Sequence, residues 1–340
     1  MRMWFNQAYR GTYQLIGLLR DGAASEGLAL HVVGSHTVAS TPFLQACDDA
    51  FPEPEHLVGE EWVEQALRVC EERGVEVFVP GRERLAVAEA ADRFADAGVR
   101  LMVSPPAALR TLADKALAHA HALSLGVPLP QTLVVTDADG FRAAYAALRD
   151  QDLPVCMKPA VDHGARGFRV LDETVGAYDD LLSVPSVRVH PDDVARRIEA
   201  RGQVAPLLVC EHLDGEELSV DVLSDGGEVL AAVPRGKGGP QWTRRLVEDV
   251  EALAITSTVV KAHGLRYLSN VQVRYGGGTC RLLEVNTRAA SGLFHSAASG
   301  LNLPWSALRL LRDGRVDVGA PRFGATVLTW TEAAEVTLPW

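Results

Sequence analysis

Leu268-Ser-Asn-Val-Gln-Val-Arg-Tyr275 and Arg281-Leu-Leu-Glu-Val-Asn286 flank a run of three glycines, and this stretch indicates the fold more strongly than any other. Successive side chains of a strand point to opposite faces, so the pattern predicts a β-hairpin with two unlike faces. The first face, predicted to be core, carries four apolar residues: Val271, Val273, Leu283 and Val285. The second face carries four polar residues: Asn270, Gln272, Glu284 and Asn286.

The polar face of this hairpin has the donor set that a hard cation prefers. Mg²⁺ binds carboxylate and amide oxygens and leaves room for phosphate oxygens. Gln272, Glu284 and Asn286 supply one carboxylate and two amides, so they are the candidate metal ligands. A solvated hairpin face is the alternative interpretation of the same pattern.

A lysine ends the apolar run Pro154–Lys158, which is predicted to be a strand. A buried ammonium group needs an anionic partner. The turn that follows contains Gly164 and Gly167, whose backbone N–H groups can approach an anion closely. This predicts a phosphate-binding turn, with a tight hairpin as the alternative. Neither G-x-x-x-x-G-K-[ST] nor G-x-G-x-x-G occurs in the sequence, so the P-loop and dinucleotide fingerprints have no support.

Two acidic residues stand in the strand-like run 209–222. Glu211 interrupts an apolar strand, and a carboxylate there, beside a backbone edge at Leu213, can accept an adenine amino group. Glu217 can accept ribose hydroxyl groups. A salt-bridged strand end explains the same residues and stays open as the alternative.

The order of predicted elements indicates two kinds of sheet. Strands and helices alternate through residue 105, which predicts a parallel sheet covered by helices. The strands there are Met1–Asn6, Leu28–Gly34, Val75–Pro80 and Val99–Ser104, and the helices are Thr12–Arg20, Glu60–Arg73 and Leu85–Ala97. A helix is predicted over Leu109–Leu125, and two short helices within 174–202. Strands between 207 and 234, with turn residues at each corner, predict an antiparallel meander.

The composition narrows the classes of partner. Of 340 residues, 47% are hydrophobic and 23% are charged, as in ordinary globular proteins. Lys and Arg number 33 against 44 Asp and Glu, which gives a formal net charge of −11. Nucleic acids and anionic membranes attract positive surfaces, so neither is expected as a partner.

The same composition suggests where the protein works. No apolar run reaches the roughly 20 residues of a membrane helix, and the N-terminus predicts no secretory signal. The five cysteines show neither zinc nor C-x-x-C spacing. We therefore expect reduced core thiols in a cytoplasmic protein.

Taken in chain order, these motifs resemble the ATP-grasp superfamily. The order is a helix lysine after Asp114, a strand-end lysine, a glycine turn, E-x-x-x-G-x-E, N-x-Q and L-L-E-V-N-T-R. The sequence is most similar to the carbamoyl-phosphate-synthase-like and biotin-carboxylase-like branch, and the similarity covers about Asp114 to Gly314. The resemblance implies an α/β fold (the α+β ATP-grasp fold) in three domains. Residues 1–105 would form a Rossmann-like pre-ATP-grasp domain, 106–203 a linker helix and lid, and 204–340 a C-terminal antiparallel-sheet subdomain with the metal site.

The resemblance also implies ligands and residue roles. The cofactors would be ATP and Mg²⁺, with Mn²⁺ as a substitute. The implied nucleotide contacts are Lys115, Lys158, Gly164, Gly167, Glu211, Leu213 and Glu217. The implied metal ligands are Gln272, Glu284 and Asn286, and the implied catalytic residues are Arg288, Lys158 and Arg235. Arg235 and Lys237 would contact the substrate carboxylate, with a solvated basic loop as the alternative.

The activity implied by the resemblance is ADP-forming ligation of a small carboxylate, an amino acid among the candidates, to an amine through an acyl phosphate. A bicarbonate-activating enzyme that forms carboxyphosphate and a non-catalytic ATP sensor are the alternatives. The sequence departs from the family pattern at Gln272, where an acidic residue is common, and at Arg166, where a small one is common. Loops of the N-terminal domain, such as 6–12 and 35–42, are expected to recognise the acceptor. Dimerisation is common in the family, and a homodimer is compatible with the sequence.

Overall fold

A computed structural model describes residues 1–161, 166–176, 187–237, 242–330, 333 and 335–340. It divides into two compact units. The first unit comprises Met1–Arg110, Glu217–Gln272 and Val285–Trp340. The second comprises Thr111–Glu216 and Val273–Glu284. The three domains expected from the sequence stay a prediction, because a compact unit can join segments that are distant along the chain.

The first unit contains the predicted parallel sheet, with the strand order β3-β2-β1-β4-β5. Its strands are β1 (Arg2–Asn6), β2 (His31–His36), β3 (Asp49–Pro52), β4 (Val77–Pro80) and β5 (Arg100–Leu101). The helices are α1 (Thr12–Ser25), α2 (Gly59–Arg73), α3 (Arg84–Glu89) and α4 (Ala91–Asp96), and a short 3₁₀ segment spans Pro42–Ala46. The strand order reverses direction between β1 and β4, and parallel sheets bind ligands at the carboxyl ends of strands at such a point.

A six-stranded sheet follows the order β15-β14-β11-β12-β13-β16. Its strands are β11 (Glu217–Asp225), β12 (Glu228–Gly236), β13 (Thr243–Leu246), β14 (Tyr267–Gly276), β15 (Thr279–Asn286) and β16 (Thr326–Leu328). The ladder of β11 with β12 is antiparallel, as the meander predicted, and β13 and β16 extend it antiparallel. The first strand predicted for that meander is not in this sheet, because Leu207–Glu211 pairs in the five-stranded sheet instead. The remaining elements of this region are α9 (Val250–Ala262), α10 (Leu303–Asp313) and a 3₁₀ segment, Leu293–Ser299.

The core of the first unit lies on both faces of its parallel sheet. Met3 and Phe5 of β1 join one cluster with α1, α10 and the inner face of the six-stranded sheet. Trp4 points to the opposite face, where its ring stacks on Phe78 with centroids 4.1 Å apart. The alternation along β1 thus buries both faces, as expected for a parallel sheet covered by helices.

The second unit contains a five-stranded sheet of order β6-β10-β7-β8-β9. Its strands are β6 (Thr132–Val135), β7 (Val155–Pro159), β8 (Arg169–Leu171), β9 (Arg188–Val189) and β10 (Leu207–Glu211). The helices are α6 (Lys115–Ser124), α7 (Ala138–Arg149) and α8 (Pro191–Arg201), with α5 (Pro106–Ala113) starting in the first unit. α8 accounts for one of the two short helices predicted within 174–202, and residues 177–186 lie outside the described part.

Several predicted elements differ in extent from the structure. The helix predicted over Leu109–Leu125 is two helices, because Asp114 interrupts it and accepts hydrogen bonds from the backbone N–H groups of Ala116 and Leu117. The helix predicted over Leu85–Ala97 is likewise divided, at Ala90. The short strand β3 carries too weak a periodicity to have been predicted.

Among the described residues, no helix combines the length and apolar character needed to cross a bilayer.

Candidate active site

β7 of the second unit separates two apolar clusters and carries Lys158 one residue before its end. Val155 and Met157 pack in the larger cluster, together with α7 and α8. Cys156 packs on the other face, in a small cluster with Leu208 of β10. Strand alternation therefore places Lys158 on the same face as Cys156.

Lys158 lies next to the predicted metal-binding carboxylate of the same unit. Its Nζ donates a hydrogen bond of 3.4 Å to the backbone oxygen of Leu283, the residue before Glu284. His119 of α6 donates from Nε2 to the same oxygen, over 3.2 Å. Two donors from two different elements therefore fix the part of β15 that carries Glu284.

The pKa of His119 reflects its burial and the positive charge near it. Burial is the largest cause that lowers the pKa of His119, to about 4, and the neighbouring ammonium group of Lys158 lowers it further. Lys115 acts in the same direction and Glu284 in the opposite one. The two predicted lysines and Glu284 therefore all lie near enough to this imidazole to influence its charge.

The position of Lys115 is fixed through its backbone. Lys115 is the first residue of α6, and Asp114 caps this helix. The backbone N–H of Lys115 donates to the backbone oxygen of Ala160 over 3.0 Å, just beyond the end of β7. The cap and this hydrogen bond together hold the start of α6 against the end of the strand that carries Lys158.

The glycine turn after β7 is described only in part. Gly164 lies outside the described residues. Gly167 has φ +72°, and a Cβ atom there would lie 2.8 Å from two ring carbons of Pro159. Both features require glycine at this position, as a tight turn over β7 does.

The carboxylate predicted to accept the adenine amino group is paired within the second unit. Glu211 is buried at the end of β10 and forms an ion pair with Arg281. One of its oxygens also accepts a hydrogen bond of 3.2 Å from the backbone N–H of Gln131. Leu213 follows the end of β10 with its side chain buried. The structure thus contains the salt bridge that the sequence left open, and the adenine contact stays a prediction.

Asp221 centres a buried polar network in the first unit. Its carboxylate accepts hydrogen bonds from Nε (2.5 Å) and Nη2 (3.1 Å) of Arg235 and from Nδ2 of Asn270 (2.9 Å). Ser296 donates a fourth, over 2.6 Å. Arg235 is only 3% exposed, so most of its guanidinium serves this network. Its predicted contact with the substrate carboxylate stays a prediction.

The donor set of the predicted metal site fits a hard cation. Asn270 is held in the network around Asp221, and its Oδ1 accepts from Nε2 of Gln272 over 3.5 Å. Gln272 thereby engages its amide nitrogen and keeps its amide oxygen as an acceptor. Glu284 and Asn286 are half-buried on β15 and add a carboxylate and a second amide. The described residues contain no cluster of three His, Cys, Asp or Glu side chains able to hold a metal ion, and the three predicted ligands stay a prediction.

The face assignment of β15 is wrong at one residue. Leu283 was expected in the core with Val285, but Leu282 is buried instead and Leu283 is only half-buried. The buried positions Leu282 and Val285 are three residues apart, so the strict alternation of period two is interrupted there. Val271 and Val273 of β14 are buried as predicted.

Glu217 and Lys237 pair in the first unit. They form an ion pair, and the backbone N–H of Lys237 donates to the backbone oxygen of Glu217 over 2.9 Å. The predicted ribose contact of Glu217 and the predicted substrate contact of Lys237 both stay predictions.

Arg288 lies after β15 and faces an aromatic ring. Its guanidinium carbon is 4.0 Å from the ring centroid of Tyr9, and Nη1 donates to the backbone oxygen of Ala289 over 3.0 Å. A second guanidinium belongs to Arg84. Burial lowers the pKa of Arg84, and repulsion by Arg288 lowers it further. No pattern in the sequence pairs Arg84 with Arg288, because 203 residues separate Arg84 from Thr287, the residue before Arg288.

The residues that sequence reasoning missed act through long-range contacts. His119, Asp221 and Arg281 each hold a predicted site residue or its neighbour in position. A buried charge inside an apolar run was the available signal for Asp221. No periodicity or spacing connects His119 or Arg281 with its partner.

Comparison with known proteins agrees with this architecture. Residues 203–333 match the family described as ATP-grasp in the biosynthetic pathway with Ter operon. The carbamoyl phosphate synthase large chain of Thermus thermophilus is 27% identical over 296 residues, which cover 82% of this chain and 27% of that protein. The chain therefore spans only about a quarter of the length of this relative.

Two solved structures share the fold at low identity. The biotin carboxylase domain of the Hydrogenobacter thermophilus 2-oxoglutarate carboxylase is 15% identical with a TM-score of 0.67, covering 96% of this chain and 73% of that one. An L-amino acid ligase from Bacillus licheniformis is 16% identical with a TM-score of 0.60, covering 91% and 73%. Residues 203–333 therefore match an ATP-grasp family, and the chain is similar in sequence to carbamoyl phosphate synthase large chains and in fold to a biotin carboxylase domain.

Proposed function

We propose that this protein is an ADP-forming ligase that joins a small carboxylate to an amine through an acyl phosphate. A carboxylate reacts poorly with amines because its leaving group would be an oxide. Transfer of the γ-phosphoryl group of ATP supplies a good leaving group. Such a transfer needs positioning and charge neutralisation more than covalent help from the protein.

The observation that carries the proposal is the contact of Lys158 with the strand of Glu284 in the second unit, where Nζ of Lys158 and Nε2 of His119 both donate to the backbone oxygen of Leu283. Lys115 begins α6, which is held against the end of the strand that carries Lys158. Two ammonium groups beside one carboxylate suit the binding of a polyphosphate together with its cation. The hydrogen bond between Lys158 and the backbone of Leu283 holds these side chains in place before a nucleotide binds. This reduces the entropy that binding would otherwise lose.

The lysines would neutralise charge on the α- and β-phosphates. Gln272, Glu284 and Asn286 would hold Mg²⁺, or Mn²⁺ in its place, since they supply the oxygen donors that such cations require. A bound Mg²⁺ neutralises charge on phosphate oxygens. The remaining predicted nucleotide contacts are Glu211, Leu213, Glu217, Gly164 and Gly167.

Arg288 would face the phosphorylated carboxylate. Its planar guanidinium offers five N–H donors, of which one is used by Ala289. Arg235 would orient the substrate from its fixed position beside Asp221. An acyl phosphate hydrolyses readily, so closure of the turn at Gly167 would protect it from water.

The test is release of ADP on addition of paired carboxylates and amines. We expect Lys158→Met and Glu284→Gln to lower the rate by about 100-fold or more, as removal of one oriented charge does elsewhere. Arg93→Met is the matched control, because Arg93 pairs with Glu60 and Glu64 on the surface of the first unit. Wild-type rates in both site variants would contradict the proposal.

A bicarbonate-activating enzyme is the second candidate, since a carbamoyl phosphate synthase large chain is among the proteins of similar sequence. ADP release with bicarbonate alone, without carboxylate or amine, would favour it. Tight ATP binding without turnover under any condition would favour a nucleotide sensor.

We further propose that the protein acts in the cytoplasm, because none of the five cysteines, all of them described, forms a disulfide. A homodimer is proposed by analogy with the Hydrogenobacter domain, whose structure is described as a dimer. The mass in solution, measured by light scattering, tests this.

A further inference from the structure

A cavity opens in the first unit at the carboxyl ends of β1 and β4. The space inside it that the centre of a water-sized sphere can occupy is about 90 Å³, which suits only a small ligand. Most of the wall is apolar and includes side chains from β1, α1 and the segment after β5. The side chains that form this wall include Phe5, Leu15, Leu19, Met102 and Leu268.

The charged residues of the cavity are all arginines. Arg84, Arg266 and Arg288 line it, and no Asp, Glu or Lys is among the lining residues. Arg266 is committed to Asp225, which accepts hydrogen bonds of 3.0 and 2.8 Å from it, so we leave it out of the site. Within the described ranges, neither Arg84 nor Arg288 forms an ion pair. The cavity therefore holds uncompensated positive charge although the whole chain is acidic.

Arg84 and Arg288 are held in place by neutral groups. Nη1 of Arg84 donates to the backbone oxygen and the hydroxyl of Thr287, over 3.1 and 2.9 Å. Arg288 lies over the ring of Tyr9, which also lines the cavity. These contacts orient the two guanidinium groups without neutralising them. Two like charges that are partly buried raise the free energy of the folded protein unless an anion binds between them.

The backbone around the cavity is strained. Four non-glycine residues of the described chain have positive φ, and one of them, Tyr267 at +60°, lines the cavity. Gln7 at +42° and Glu83 at +50° are next to the lining residues Asn6 and Arg84. Such strain concentrates at binding and catalytic sites, where the fold holds a side chain in a required direction.

Asn6 adds an unsatisfied donor to the wall. Its Oδ1 accepts from the backbone N–H of Gly81 over 2.7 Å, which fixes the orientation of the amide. Nδ2 is buried and finds no acceptor among the described residues. An acceptor brought by a ligand would satisfy this donor, whose burial is otherwise unfavourable.

We propose that this cavity binds a monocarboxylate with an apolar body, its carboxylate facing Arg84 and Arg288 and its body against the apolar wall. As the substrate assignment for the ligase reaction, this rests on the proposed function. An α-amino acid fits less well, because its ammonium group would meet two arginines and no acidic side chain in the cavity.

The experiment is calorimetric titration of the unmodified protein with straight-chain carboxylates from acetate to hexanoate. Affinity should rise about fourfold for each methylene group that enters the apolar wall. Isocaproate and leucine differ only in the α-ammonium group, and we expect leucine to bind at least about tenfold more weakly. Equal affinity across the series, or leucine binding as tightly as isocaproate, would overturn the proposal.

Arg84→Met removes one guanidinium and keeps an apolar stem of similar length, and it should weaken isocaproate binding by about tenfold or more. Arg266→Met is the matched control, with less than about a twofold effect expected because Asp225 already neutralises that charge. Should Arg84→Met fail to fold, the chain-length series on the unmodified protein still decides. Equal loss in both variants contradicts the assignment.

The same samples separate this inference from the proposed function. Tight isocaproate binding without ADP release, whatever amine is added, would leave the site standing and refute the ligase reaction. ADP release from leucine or acetate, with isocaproate neither bound nor used, would refute the site and leave the ligase reaction standing.

Discussion

Lys158 donates a hydrogen bond from Nζ to the backbone oxygen of Leu283, and thereby fixes the strand position next to Glu284. The predicted phosphate lysine and the predicted metal carboxylate are thus neighbours in one compact unit. His119 binds the same backbone oxygen and lies within the field of both lysines. This histidine offers two measurements of the site that require no substrate.

The first prediction concerns the ionisation of His119. Burial lowers its pKa to about 4, and Lys158 contributes repulsion. Lys158→Met removes that repulsion, so the pKa of His119 should rise while burial keeps it below the ordinary value of about 6.5. NMR titration of the imidazole resonances measures this. Lys261→Met, a change of an exposed lysine in the other unit, serves as the control and should leave the pKa unchanged.

The second prediction is a loss of stability in acid. The folded-state pKa of His119 is below its unfolded value, so between about pH 6.5 and 4 the unfolded chain binds more protons than the folded one. Stability is therefore complete above about pH 6.5 and falls as the pH drops towards 4, by about 3 kcal/mol at most.

Other histidines, among them His36 and His212, have lowered pKa values through burial and add to the acid sensitivity. Urea unfolding of the wild type and His119→Gln at several pH values isolates the contribution of His119. If the difference in free energy of unfolding between the two proteins does not change across this range, the assigned ionisation is wrong.

Local patterns predicted much of this fold. The alternation of strands and helices predicted the parallel sheet. Both faces of this sheet are buried, as Met3 and Trp4 show by packing in opposite clusters. Turn chemistry predicted the antiparallel ladder of β11 and β12. Asp137 stands before α7, where an acidic residue favours a helix start, and its carboxylate accepts a hydrogen bond from the backbone N–H of Gly140 over 2.7 Å.

The sequence could not predict which distant groups share a partner. Arg84 donates a hydrogen bond to Thr287, and Glu211 forms an ion pair with Arg281. In both cases the two segments are distant in sequence and share no repeating pattern of residues. The interruption at Leu283 was hidden for a related reason: strict alternation assumes a regular strand, and only tertiary packing shows where it breaks. A salt bridge at Glu211 was therefore foreseeable from its position in an apolar strand, whereas the identity of its partner, Arg281, was not.

The third prediction concerns the ion pair of Glu211 and Arg281. Glu211 is buried, so Arg281→Met leaves its carboxylate without a charged partner and should lower the free energy of unfolding by about 2–4 kcal/mol. Replacing both residues, in Glu211→Gln with Arg281→Met, should recover most of that loss because no buried charge remains. Denaturant unfolding of the two single variants and the double variant gives the coupling energy.

The surface pair of Arg93 with Glu60 and Glu64 is the control for this cycle. Its partners are largely exposed, and Arg93→Met should change stability by less than about 1 kcal/mol. If Arg281→Met lowers the free energy of unfolding no more than Arg93→Met does, Glu211 is solvated. The predicted adenine contact would then be the better account of this residue.

The fourth prediction compares two glycines of α1. Gly17 is exposed, and a Cβ atom there meets nothing within 4 Å, so Gly17→Ala should raise the free energy of unfolding by about 0.5–1 kcal/mol through higher helix propensity. A Cβ atom at Gly22 would lie 2.2 Å from Cγ of Trp305, a buried side chain of α10. Gly22→Ala should therefore lower stability by about 1–3 kcal/mol or more, since the indole must move within a packed core. Thermal and urea unfolding of the two variants should show opposite signs, and a stabilised Gly22→Ala would show that α1 and α10 do not pack as closely as these atoms indicate.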